Sequence, residues 1–315
     1  MCRVIPWILG CGLFAVGLRA ERVAFFPDWF PGAQFAGIYV AVDLGYYRDA
    51  GLEVDIVPFA FGMKPAALID AEPGRCGVGA IEGYILLQSL GRGLDLMALA
   101  AQFQESPAGF MSLASSQIVT AADVRGRKIG VHAYGDPLYR WFLKNAGVPE
   151  TASTLVFVKD DIGQLLRGEV AAMQGYKTEE FVQLRERAGD AARFVSFRDL
   201  GFDAYSEVLF TTRPQRMRHA DALARFVAAT RRGWAQSFLD REAAIAATLA
   251  RSRPGAKAST VGASLDALRP YVKPAGLAPL APMDPEKWRR MRTICGEMGF
   301  RPSNAPVEEW LVSGW

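Results

Sequence analysis

The sequence predicts an α/β fold arranged as two lobes, each a mixed or mostly parallel sheet flanked by helices, with a cleft between the lobes. Three observations predict it. Strand-like and helix-like segments alternate at short spacing over residues 22–103, as parallel strands joined by helical crossovers do. A second run of the same kind occupies residues 120–176. From Pro214 onward the hydrophobic pattern turns strongly helical.

In order along the chain, residues 22–26 are expected as a short strand and 37–48 as a helix. "GLEVDIVPF" then alternates apolar and polar residues, as a half-buried strand does. Residues 65–71 are expected as a short helix, "CGVGAI" as a small-residue strand, 83–90 as a helix and "LDLMALAAQF" as a buried strand. In the second run "KIGVHA", "TLVFVK" and "VAAMQGY" are strands, with helices at 138–145 and 162–169. Residues 214–249 and the tail through "DPEKWRRMRTICGEMGF" are helical. The apolar segments at 109–114 and 207–212 flank the second run and are the expected crossing strands. The implied division is 21–112 and 209–315 for the first lobe and 113–208 for the second.

The chain has 315 residues, half of them hydrophobic, enough for one large or two medium cores. Formal net charge is +3 and no Lys/Arg stripe forms, which argues against nucleic acid as a partner. The basic clusters around Arg216 and Arg290 read as solvated helix faces. Two histidines and no C-x-x-C argue against a histidine-based metal site.

The first twenty residues stand apart. Arg3 precedes an uncharged apolar run at 4–18, and Ala20 offers a small residue for cleavage. That run fits a signal-peptide core better than a membrane span, so export to the periplasm or beyond is expected, with a cut near Ala20. Ile8-Leu9-Gly10-Cys11 resembles a lipobox, but little apolar core precedes Cys11, so the lipoprotein reading is the weaker one. Cleavage would remove Cys2 and Cys11 and leave Cys76 and Cys295, either paired or each a small buried hydrophobe.

Open α/β sheets bind ligands beyond the carboxyl ends of their strands. Those positions hold Asp28 and Trp29, Glu82, Gln104, Tyr134 and Asp136, Tyr176, and Tyr205. Carboxylates, amides and rings recur there while the strands themselves are apolar, which suits a flat polar ligand held by stacking and a few hydrogen bonds. Taken singly, Trp29 is more simply a core residue, and the tyrosines are buried rings with satisfied hydroxyls. The glycines from Gly77 to Gly83 miss dinucleotide-fingerprint spacing by one residue, and no G-x-S-x-G or P-loop occurs.

The stretch "DWFPGAQFAGIYVAVDLGYYRDAGLEVDI" resembles the start of exported solute-binding proteins of ABC importers for nitrate, sulfonates, taurate and thiamine-pyrimidine precursors. "GVGAIEG", "VRGRKIGVHAYGDP", "GEVAAMQGYKTEE" and "WRRMRTICGEMGF" extend the resemblance over nearly the whole mature chain. It implies a periplasmic-binding-protein-like (type II) fold that traps a small flat ligand as the lobes close. It also implies a monomer without cofactor, serving a permease and ATPase at the inner membrane. Asp28-Trp29 matches the pyrimidine-binding branch, where the Trp stacks on the ring. The Asn and His usual in the next loop are replaced here by Gly32 and Phe35, beside Gln34, so Gln34 and Phe35 join the expected ligand contacts.

The same superfamily contains thiamine pyrimidine synthases, which build their product from pyridoxal phosphate and a sacrificed histidine. Their Lys and His lie in the segment matching "GVGAIEG", where this chain has Gly79 and Gly83. Their cysteine-rich iron motif precedes the second crossing strand, where "GFDAYSEVLF" has no cysteine. The binding-protein reading is therefore preferred to the synthase. A sensor subunit reporting to a membrane kinase is a third reading and differs only in partner.

Overall fold

The computed structural model describes residues 20–71, 74–132, 135–159 and 162–315. The expected leader with Cys11, and Tyr134, lie outside the described residues. Among those residues no helix is long and apolar enough to cross a membrane.

Among the described residues ten strands form two five-stranded sheets. The first contains β1 (Glu21–Phe26), β2 (Leu52–Ile56), β3 (Cys76–Ile81), β4 (Leu96–Phe103) and β10 (Ser206–Thr212). The second contains β5 (Ala108–Leu113), β6 (Lys128–Val131), β7 (Thr154–Phe157), β8 (Ala172–Tyr176) and β9 (Ala192–Ser196). The orders are β2-β1-β3-β10-β4 and β7-β6-β8-β5-β9. Four strands of each sheet run in one direction, β1, β2, β3 and β4 in the first and β6, β7, β8 and β9 in the second. Each sheet is completed by an antiparallel strand that follows a crossing, β10 in the first and β5 in the second. This is the two-lobe fold of mixed sheets that the alternation of elements predicts.

The crossings fall at different residues from those expected. The strand at 108–113, expected to close the first lobe at 112, is hydrogen-bonded on both sides within the second sheet. The chain changes sheets at 104–107, where Pro107 has no N–H for a ladder. It returns at 197–205, ahead of β10. Strand β9 and the helix Glu180–Ala188 lie within the second lobe and had no clear sequence signal, being short and charged.

Helices Ala36–Asp43, Ala220–Leu239, Arg241–Leu249 and Ala258–Val272 cover one face of the first sheet, around Phe25, Phe35, Phe226 and Trp234. Gly37 and Gly233 let two of these helices touch, since a Cβ on Gly233 would run into the Gly37 carbonyl oxygen. Asp240 caps Arg241–Leu249 through Ala243 N at 3.0 Å and Asp284 caps Pro285–Glu297 through Glu286 N at 2.8 Å, each contributing about 1 kcal/mol. The other face is sealed by Pro285–Glu297 and the Trp288 and Trp310 rings, which meet edge to face at 5.1 Å. Cys76 belongs to the first of these cores and Cys295 to the second, and both are free thiols. The open question of their pairing is settled by the sheet that separates them.

Candidate functional site

The sheets' carboxyl ends face one another, and side chains from both lobes meet there. Asp28 follows β1 after Pro27 ends the strand. Glu82 stands just ahead of helix Gly83–Gly91, in extended conformation, and does not cap it. From the second lobe, Tyr176 at the end of β8 donates its hydroxyl proton to Glu82 and lies 2.8 Å from Ser206 Oγ. The Tyr176 backbone N–H is held by Glu180 at 2.7 Å, which fixes the ring's direction.

A fourth member, Glu207, had no sequence signal beyond being an acid inside an apolar strand. It is 1% exposed and within hydrogen-bond reach of the Asp28 carboxyl. Its φ is +48°, a left-handed conformation that costs a non-glycine residue about 1–3 kcal/mol. The ladder passes from Ser206↔Phe103 to Val208↔Ala101 around it. Glu179 of the second lobe completes the cluster, facing the backbone N–H groups of Ala33 and Gln34 and the Ser264 hydroxyl. Asp28 Oδ1, Glu179 Oε1 and Glu207 Oε2 are buried with no hydrogen-bond partner.

Burial dominates the electrostatics. It pushes Asp28 up to about 6, Glu82 up to about 7 with the Asp28 charge adding to it, and Glu179 up to about 8. Glu207 is held well above the ordinary carboxyl range by burial and then by the charges of Asp28 and Glu82. The Tyr176 phenol is raised by burial and by the same acids. Arg251 approaches from the Tyr39 side, where it lies over that ring at 5.1 Å and pairs with Asp43 at 2.6 Å. Such a cluster accepts N–H donors and positive charge and repels anions.

Next to it lies an aromatic group. Trp29 meets Phe30, Phe59 and Phe61 at ring separations of 5.9, 5.8 and 5.9 Å, and His132 of the second lobe at 5.2 Å. Phe61 is half exposed, with Lys159 over its face at 5.3 Å, which puts this group at the mouth of the cleft. Among the described residues no group of three or more His, Cys, Asp or Glu is arranged to hold a metal ion.

The residues expected at the site thus divide. Asp28, Glu82 and Tyr176 converge, and Trp29 stands beside them. Gln34 is buried next to Glu179 under Gly32. Phe35 points into the core against Phe25 at 5.9 Å, because the 3₁₀ turn Ala33–Phe35 rolls it inward. Gln104 bonds the carbonyls of Ala101 and Ala281, each at 3.2 Å, and so ties down the C-terminal segment. Tyr205 packs on Trp288 at 5.3 Å and accepts from Asp284 N at 2.7 Å. Asp136 pairs with Arg140 at 2.5 Å in a groove on the helix Asp136–Asn145.

Comparison with known proteins finds the NMT1/THI5-like family matching residues 32–244. The formylaminopyrimidine-binding protein of Halalkalibacterium halodurans is 28% identical over 219 residues, 68% of this chain and 66% of that protein. The riboflavin-binding protein RibY of Chloroflexus aurantiacus is 25% identical over 236 residues, 71% of this chain and 64% of its own length. The chain therefore spans just under two thirds of these curated relatives. Among solved structures, the periplasmic aliphatic sulphonate binding protein SsuA of Escherichia coli superposes with a TM-score of 0.70 at 16% identity, covering 93% of this chain and 97% of that one. That last likeness concerns the fold alone.

Proposed function

Because the chain belongs to the NMT1/THI5-like family, we propose that it is a solute-binding protein that closes its two lobes on a small, planar, donor-rich ligand. The observation that carries this reading is the buried acid cluster assembled from both lobes, Asp28, Glu82 and Glu207 from one and Tyr176 and Glu179 from the other. Buried polar groups without partners are costly, and a ligand bringing N–H groups would satisfy them. Trp29 then supplies a ring face at the entrance. In this reading the protein works as a monomer outside the cytoplasm and delivers its ligand to a permease and ATPase.

The local structure supports binding over synthesis. A Cβ on Gly79 would run into the Phe210 ring, and one on Gly83 would lie 2.7 Å from the Tyr205 carbonyl oxygen. Neither position can host the lysine or the histidine that the synthase chemistry needs. The test is small-angle scattering and thermal melting of the purified protein with 2-methyl-4-aminopyrimidine. At a hundredfold excess over its Kd a ligand adds about 2.7 kcal/mol of stability, and closure shrinks the radius of gyration. An aldimine absorbance band with pyridoxal phosphate, lost on changing one lysine, would replace this reading with the enzyme.

A further inference from the structure

We propose that Glu207 determines specificity. Its buried carboxyl, paired with Asp28, donates a proton to a planar heterocycle that carries an amino group beside a ring nitrogen, so capture is proton-linked and anions are refused. This inference rests on the solute-binding reading above and adds the acid that selects the ligand.

Two carboxyls at hydrogen-bond distance inside a protein share a proton, because two adjacent ionised ones repel. Glu207 and Asp28 are such a pair, and each keeps one buried oxygen without a partner. The backbone holds Glu207, the second residue of β10, in a left-handed conformation, which directs its acid toward the cleft. Strain of this kind clusters at ligand sites.

A protonated carboxyl offers an O–H donor beside a C=O acceptor. An amino group next to a ring nitrogen offers the mirror pair, so two parallel hydrogen bonds form. The proton either stays on the oxygen or moves along O–H···N to the ring nitrogen, leaving a carboxylate against a heterocyclic cation. Nothing else is exchanged. A sulfonate or nitrate has only acceptors and would meet the acids Asp28, Glu82, Glu179 and Glu207.

The groups facing Glu207 are Asp28 after β1, Glu82 ahead of Gly83–Gly91, Tyr176 on β8, Glu179 ahead of Glu180–Ala188, and Tyr39 on Ala36–Asp43 with Arg251 over its ring. The acids Asp28, Glu82 and Glu179 oppose ionisation of Glu207. Its raised pKa means the proton is present at low pH and lost as pH rises. A neutral heterocycle entering after that loss must draw the proton from solvent, and its affinity falls.

Titration calorimetry of the full chain tests this, with 2-methyl-4-aminopyrimidine and butanesulfonate as probes, in buffers of different ionisation heat from about pH 7 to about pH 10. The expected result is binding of the aminopyrimidine alone, with about tenfold weaker affinity per pH unit at the alkaline end and at least one proton taken up there. Glu207→Gln cannot titrate, so binding to this variant takes up about one proton fewer than binding to the wild type over the same range. A pH-independent wild-type affinity overturns the proposal and leaves the solute-binding reading standing, as does an unchanged proton count in Glu207→Gln. Tighter binding of butanesulfonate, or binding of neither probe, overturns it as well. The wild-type proton count decides the matter even if the variant does not fold.

Discussion

Among the places where charged side chains lie between the lobes, two are opposites. In the groove beside helix Asp136–Asn145, Asp136 pairs with Arg140, and the Trp141 indole donates to Glu297 at 2.9 Å. Those ions are partly hydrated and matched in sign, so they contribute little. In the cleft, Glu207 is buried and Asp28, Glu82 and Glu179 are partly so, and they face one another, the Tyr176, Ser206 and Ser264 hydroxyls and the backbone N–H groups of Ala33 and Gln34. A protein tolerates that arrangement where a ligand completes it. The difference teaches that partnering, more than the presence of charge, separates the candidate site from an ordinary surface.

The largest expected effect separates the two places by pH. Each cleft acid has a folded pKa above its ordinary value, so the closed cluster is fully stable below about 4.5. That stability is lost as pH rises through about 7 for Glu82 and about 8 for Glu179. The Glu82 shift alone corresponds to up to about 3 kcal/mol. Scattering on the protein without added ligand should show a larger radius of gyration at about pH 8 than at about pH 5. A radius constant over that range would make the cluster as inert as the groove.

A substitution pair sharpens this. Glu82→Gln keeps an acceptor for Tyr176 and removes the buried charge, so it should raise stability by about 1–3 kcal/mol at alkaline pH and leave it unchanged at acid pH. Asp136→Asn in the groove should shift thermal stability by no more than about 1 kcal/mol at either pH. Equal responses in the two melts would erase the distinction.

Ligand affinity gives a smaller contrast of the same sort. Trp29→Ala should weaken binding of an aromatic ligand by about 1–3 kcal/mol while the fold survives. Asp136→Ala should leave that affinity unaltered in the same titration. The smallest effect belongs to Trp141→Phe, which removes the indole donor to Glu297 and should cost about 1 kcal/mol in denaturant unfolding without touching affinity.

What was legible in the sequence follows the same division. Strand and helix periods exposed the alternation of β1 through β4 and β6 through β8, because apolar spacing is a local property. Helix Ala258–Val272 gave no comparable signal, having Gly262 and Pro270 inside it. At the site, Asp28, Glu82 and Tyr176 were legible because each stands just past a strand end. Phe35 and Gln104 stand in similar places, but the local turn and the carbonyls of Ala101 and Ala281 direct their side chains elsewhere. Glu207 was hidden because it lies within a crossing strand, and only its left-handed backbone turns it toward the cleft.

The sheet order has a consequence in time. Strands β3 and β4 do not touch; both pair with β10, so Phe210 stands between Gly79 and Ala98. A growing chain that has not yet produced residues 206–212 carries a slot in its first sheet. That slot is edged by two strands of open hydrogen-bonding groups, an invitation to mispairing. The second sheet, whose five strands are all complete by Ser196, can close earlier. The lobe that begins the chain is thus the one that finishes last. A fragment ending at residue 205 should leave that slot open, because it lacks the strand that fills it, the helices that cover the sheet and Glu207 with them.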